Sequence, residues 1–189
     1  MSNLEILNRA SADFETRLVA VGPDQWEVPT PNTEWTVRDM VAHVVRGNEM
    51  AIALLNGATT DEARDALNTD RPLTDPLEEF RYSIEAQAAA FDRPDALSMT
   101  CHHPLMDVSG EQLLGFRFMD LSLHAWDLAR ALGLDEQLDQ DVVAAVWENM
   151  SPLAPFIGTL GIFGEGPSTT LSEDAPLQER LLDLTGRRP

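Results

Sequence analysis

A histidine at position 43 and an Asp–His pair at positions 120 and 124 are the residues of this 189-residue chain best suited by type and spacing to chemistry. Asp120 and His124 are four residues apart, so on a helix both side chains leave the same face. Packed beside a helix carrying His43, they make a set of two histidines and one carboxylate. Such a set holds a divalent ion and leaves coordination positions open for water or substrate.

An ionised carboxylate is costly to bury among apolar side chains unless it is paired or metal-bound. Asp120 shares its helical face with Leu121, His124 and Leu128, and a cation there would offset the desolvation and hold the histidines neutral as ligands. The alternative is a hydrogen-bonded Asp–His pair in a core without metal. Asp127 reads either as a partner behind the ligands or as a charge on a solvated face. Cys101-His102-His103 places donor atoms in sequence, but neighbours in an extended segment point to opposite sides, which favours a place at the rim of a pocket. Trp35 and Trp126 read as core or interface aromatics. The run Gly161 to Gly166 lacks the preceding strand that a phosphate loop needs.

Helices must position these groups. Leu4, Leu7, Ser11, Phe14, Leu18 and Val21 recur at three- and four-residue spacing, which predicts an amphipathic helix ending at Gly22-Pro23. Thr36-Val37-Arg38-Asp39 has capping-box form and opens a second helix that runs to Asn56-Gly57. On it, His43 falls in one stripe with Met40, Gly47, Met50 and Leu54 and faces inward. Residues 58–74 read as a polar loop with room for one helical turn. A third helix starts at Asp75-Pro76, with Pro in the first turn, and carries Leu77, Phe80, Ile84, Ala88 and Phe91. Leu97 to Cys101 reads as a short strand or extended arm. A fourth helix covers Glu111 to Ala131 and stops at Gly133. A shorter helix is predicted over Asp139 to Met150, a Gly- and Pro-rich wrapping loop over Ser151 to Glu173, and a last short helix over Pro176 to Leu184. The prediction is an all-α fold: one domain over residues 1–189, built as a four-helix bundle with extra short helices and a C-terminal wrapping segment, an architecture that sets metal sites between facing helices.

Composition narrows the partners. Thirteen Lys and Arg against 32 Asp and Glu give a net charge of −19. A surface this acidic repels phosphate backbones and anionic lipid, so neither nucleic acid nor a membrane surface is expected as a partner. Cys101 is the single cysteine, which fits a reducing cytoplasm. The first residues lack a basic start followed by an apolar run, and no apolar stretch approaches the roughly 20 residues that span a bilayer, so a cytoplasmic protein is expected.

The segment from Pro29 to His43 reads Pro-Thr-Pro-Asn-Thr-Glu-Trp-Thr-Val-Arg-Asp-Met-Val-Ala-His. The segment from Asp120 to Ala131 reads Asp-Leu-Ser-Leu-His-Ala-Trp-Asp-Leu-Ala-Arg-Ala, and the chain ends on Leu181-Leu182-Asp183-Leu184-Thr185-Gly186-Arg187-Arg188-Pro189. Together these resemble the actinobacterial DinB-like, mycothiol-dependent maleylpyruvate isomerase-like metal-binding proteins, in order and over nearly the whole chain. The resemblance implies a DinB-type four-helix bundle, often a homodimer, that binds a divalent metal through two histidines and one acidic residue. The matching positions are His43, Asp120 and His124. Where some relatives have Glu, this chain has the shorter Asp120, and where many have Cys it has Asn32. The isomerase itself has a further C-terminal domain that contributes to substrate binding; none is expected here, so its substrate is not carried over.

The activity the resemblance implies is thiol chemistry. A divalent metal, zinc before nickel or iron, would bind the sulfur of a low-molecular-weight thiol such as mycothiol as co-substrate, and a small-molecule electrophile would be transferred or isomerised. The alternative is a non-catalytic DinB-like stress protein that binds metal or a small ligand.

Overall fold

A computed structural model of the chain describes residues 1–32, 34–157, 163, 166–168, 170–172 and 174–189. The chain divides into two compact units, Met1–Glu136 and Gln137–Pro189. The first is the DinB-like four-helix bundle. Its long helices are α1 (Asn3–Val19), α2 (Val37–Leu55), α4 (Pro76–Phe91) and α5 (Gly110–Leu132), with a short α3 (Thr60–Leu67) between α2 and α4.

Local signals set the helix ends. Thr36 caps α2 with its hydroxyl accepting from the Asp39 N–H, while the Asp39 carboxylate accepts from the Thr36 N–H at 2.9 Å. This reciprocal pair satisfies two backbone donors that a helix start leaves open. Ser109 and Gln112 do the same for α5, which stops at Gly133 in the left-handed conformation, φ 68°. Helix α3 corrects the expectation of a loop with one turn. Thr59 and Glu62 form a third reciprocal cap, and Ala63 anchors the segment by burial.

Helix α1 packs on α4 and α5, and α2 packs on the same two, so α1 and α2 occupy opposite corners of the bundle. The connections from α1 to α2 and from α4 to α5 therefore cross the bundle, and both are long. The core between the helices is apolar, with Phe14, Met40, Phe80, Phe118 and Leu121 fully buried and the Phe14 and Phe80 rings 4.9 Å apart. What matters for function is the direct contact of α2 with α5, because it turns the inward stripe of His43 toward that of Asp120.

The α4–α5 connection holds a hairpin, β1 (Thr100–His102) paired antiparallel with β2 (Asp107–Ser109). The extended arm expected over Leu97 to Cys101 thus starts later. Ala96–Ser98 forms a 3-10 turn, and pairing begins at Thr100.

In the second unit α6 (Gln140–Met150) packs on α8 (Leu177–Leu184), with the Arg180 guanidinium 4.6 Å over the Trp147 ring. The expected wrapping loop begins helically: a 3-10 turn at Ser151–Leu153 leads into α7 (Ala154–Ile157). Most of the remainder of that stretch, with most of the Gly161 to Gly166 run, lies outside the described residues. Among the described residues no helix is long and apolar enough to cross a membrane.

Candidate metal centre

His43 reaches the α2–α5 interface from α2, and Asp120 and His124 reach it from successive turns of α5. The Asp120 Oδ1 atom lies 3.3 Å from His43 Nε2 and 3.4 Å from His124 Nε2. One donor atom from each of the three residues falls within 4.8 Å of the others, and theirs is the convergent His/Cys/Asp/Glu cluster among the described residues. The side chains are 26%, 18% and 9% exposed for His43, Asp120 and His124, so the centre is recessed but open on the His43 side.

Two length scales test whether the set suits a metal. Charge-assisted N–H···O contacts shorten to about 2.7–2.9 Å when hydrogen bonding alone governs them. Tetrahedral bonds of about 2.0–2.2 Å place neighbouring donors about 3.3–3.6 Å apart. Both Asp120–His separations match the second scale. The residue types and these two separations are compatible with a divalent ion, the three donor atoms lying within 4.8 Å of one another.

The surroundings orient each of the three side chains. His124 Nδ1 bonds Asp127 Oδ2 at 2.9 Å, which fixes the ring and leaves Nε2 toward Asp120. Asp127 is 1% exposed and pairs with His124, so it is not a charge on a solvated face. Trp35 lies across both histidines, 4.6 Å between centroids to His43 and 5.8 Å to His124. It is held there by the loop before α2: the Thr30 N–H donates to the Trp35 carbonyl at 2.9 Å, and the Trp35 N–H donates to the Asn32 carbonyl at 2.8 Å. Asn32 thus serves the turn that places Trp35.

The other Asp120 oxygen, Oδ2, accepts from Arg117 Nη1 at 3.2 Å. Arg117 is 4% exposed, and its fork also donates to Asn48 Oδ1 at 2.9 Å, Gln87 Oε1 at 3.0 Å and the Val44 carbonyl at 3.4 Å. Asn48 passes the network on to Ser83 Oγ at 2.9 Å.

These charges set the protonation. Burial is the largest influence on Asp120 and pushes its pKa up, but Arg117, His124 and His43 together hold it well below the ordinary carboxylate range. Burial likewise disfavours the charged form of His124. Asp120 and Asp127 overcome it, and the His124 pKa is pushed up to about 9. With its pKa raised in this way His124 holds a proton at neutral pH, which a metal bound through Nε2 would displace.

Cys101-His102-His103 contributes no ligand cluster. Cys101 is buried, and burial pushes its thiol pKa up. His102 faces solvent and bonds Asp107 Oδ1 at 2.8 Å across the hairpin. His103 turns toward α5, its ring 5.4 Å from Phe116, one turn before Asp120. Sequence reasoning missed Arg117, Asn48 and Gln87. The available signal was a cation three residues before Asp120, on a stripe with Leu113, Leu114 and Leu121.

Comparisons with known proteins give the family. The family model described as the mycothiol maleylpyruvate isomerase N-terminal domain matches residues 7–129, a span that includes His43, Arg117, Asp120, His124 and Asp127. Two relatives from two strains of Mycobacterium tuberculosis, each named only as an uncharacterized protein, are 31% identical to the chain over 182 residues. The match covers 93% of this chain and 89% of each relative. No solved structure matches.

Proposed function

Because the chain belongs to the mycothiol maleylpyruvate isomerase N-terminal domain family, we propose that it is a divalent-metal-dependent thiol transferase or isomerase, with His43, Asp120 and His124 as the metal ligands and mycothiol or a similar small thiol as co-substrate. The observation that carries the reading is the single Asp120 oxygen set 3.3 and 3.4 Å from two imidazole nitrogens, at tetrahedral spacing, with a face open to solvent. A divalent cation bound there supplies Lewis acidity, lowering the pKa of a coordinated thiol so that the nucleophilic thiolate prevails.

The protein's own residues do the rest. Asp127 holds the His124 ring so that Nε2 is presented as a lone pair once its proton has left. Trp35 covers the two histidines and restricts water on that side. His43 and Asp120, the half-buried members of the set, line the side on which the proton of a bound thiol would leave to solvent. Zinc is the first candidate, though two histidines and a carboxylate also accept nickel or iron. A reducing cytoplasm, in which a thiol co-substrate stays reduced, belongs to the same reading, as does a homodimer.

Elemental analysis of purified protein tests the first step. About one equivalent of metal at neutral pH is expected, lost in His43→Ala. A metal-free wild type, or a His43→Ala protein with its metal intact, would sink the reading. Turnover of small electrophiles with mycothiol tests the second step.

One observation favours a second reading, a non-catalytic binding protein. Arg117 already offsets the Asp120 charge and Asp127 already pairs with His124, so the centre is balanced without metal. Metal uptake without turnover of any electrophile would select it.

A further inference from the structure

Asp120 has two oxygens, and only one of them faces the histidines. Carboxylates ligate metals through one oxygen or through both, and the second mode uses an additional coordination position. The outcome here depends on what holds Oδ2. Its partner is Arg117 Nη1 at 3.2 Å, and Arg117 cannot easily move away. Its Nε is spent on Gln87 Oε1 and its Nη2 on Asn48 Oδ1 and the Val44 carbonyl. A planar fork with fixed donor directions satisfies all of these at once, which a lysine ammonium cannot do.

The opposite helix is shaped to the same group. A Cβ at Gly47 would lie 2.5 Å from Arg117 Nη1 and 2.9 Å from its Cζ and Nη2. Gly47 stands one turn from His43 on α2, so the absence of a side chain there lets the guanidinium sit level with the ligands. Among the described residues the buried Gln87 Nε2 has no hydrogen-bond partner. The side chain is thus turned to give its oxygen to Arg117 at the expense of its own donor, as expected if fixing the guanidinium takes precedence.

From this arrangement we propose that Arg117, seated on Gly47 and held by Asn48 and Gln87, is the positioning residue that confines Asp120 to one-oxygen ligation and so keeps the fourth coordination position free for the thiol sulfur. The proposal rests on the metal reading above and adds to it. The three ligands alone do not guarantee an open position; the polar network behind them does. The small thiol then meets a vacant site that faces solvent rather than one closed by the second carboxylate oxygen.

Cobalt(II) substitution reads this directly, because its visible bands are intense in four-coordinate sites and weak in five- or six-coordinate ones. Wild type, Gly47→Ala, Arg117→Lys and Arg117→Met are loaded with cobalt(II), and the spectra are recorded with melting curves that identify folded variants. Gly47→Ala displaces the guanidinium while every polar side chain of the network remains. The expected result is an intense four-coordinate spectrum in wild type and loss of intensity in Gly47→Ala and both Arg117 variants. Cobalt(II) Kd should weaken about tenfold or more, as for loss of a group supporting a ligand. Spectra of folded variants that superpose on wild type overturn the proposal, whatever happens to Kd. A wild type that takes up no cobalt(II) overturns the metal reading itself, an outcome separable from a clamp without effect.

Discussion

Metal binding at the proposed centre would exchange one charge for another, and pH should expose the exchange. In the metal-free protein Asp120 and Asp127 hold a proton on His124 with a pKa pushed up to about 9. A metal ion needs the Nε2 lone pair, so that proton must leave. Asp120 contributes no second proton at neutral pH, because its pKa is held well below the ordinary carboxylate range. At pH 7, two units under the His124 pKa, the displacement costs about 2.7 kcal/mol, or roughly a hundredfold in apparent Kd. Apparent affinity should therefore strengthen about tenfold per unit from pH 7 toward 9 and level off above it. Zinc affinity measured by competition with a chromophoric chelator, corrected for the chelator's own protonation, gives the slope. Calorimetry in two buffers of different ionisation enthalpy counts the proton released. A change of less than about threefold in apparent Kd between pH 7 and 9, with no proton released, would refute the reasoning, because His124 would then be neutral before metal arrives.

The same proton stabilises the metal-free fold. A folded pKa raised above the ordinary 6.5 gives stability that is fully present below pH 6.5 and lost as pH climbs through 9. Urea unfolding with chelator present should show a loss of roughly 3 kcal/mol between these limits, and a constant midpoint would contradict it. Asp127→Asn removes the charge behind His124 with little change of shape, and metal affinity at pH 9 should fall about 10- to 100-fold; an unchanged Kd would deny Asp127 its role. Thr36→Ala removes the hydroxyl that caps α2 and should lower stability by about 1 kcal/mol in urea melts, with no loss expected if the cap contributes nothing.

Much of this protein is legible in its sequence, for reasons local to the chain. Helices α1, α2, α4 and α5 show in the three- and four-residue recurrence of apolar side chains, and their ends in Thr36, Pro76 and Gly133, because periodicity and caps act within a few residues. The spacing of Asp120 and His124 places both on one face of α5, and the inward stripe of α2 contains His43. Helix α3 was under-read because its Thr59–Glu62 cap stands in a polar stretch without an apolar stripe. The strand expected over Leu97 to Cys101 lies later, at Thr100–His102, because its limits depend on the strand that faces it.

Only the tertiary structure decides that α2 and α5 are neighbours, and with that whether His43 meets Asp120 and His124 at all. It also decides between the two readings of Asp127, since a carboxylate on α5 faces solvent or His124 according to what packs around it. Arg117 is the clearest case. In sequence it is one of thirteen arginines. Its importance comes from Val44, Gly47 and Asn48 on α2 and Gln87 on α4, distant in the chain and brought to one guanidinium by packing. Sequence determined the helices and the ligand types, because those depend on neighbours along the chain. The setting of Asp120 and Arg117 depends on polar groups converging from three helices, and only the folded bundle sets that.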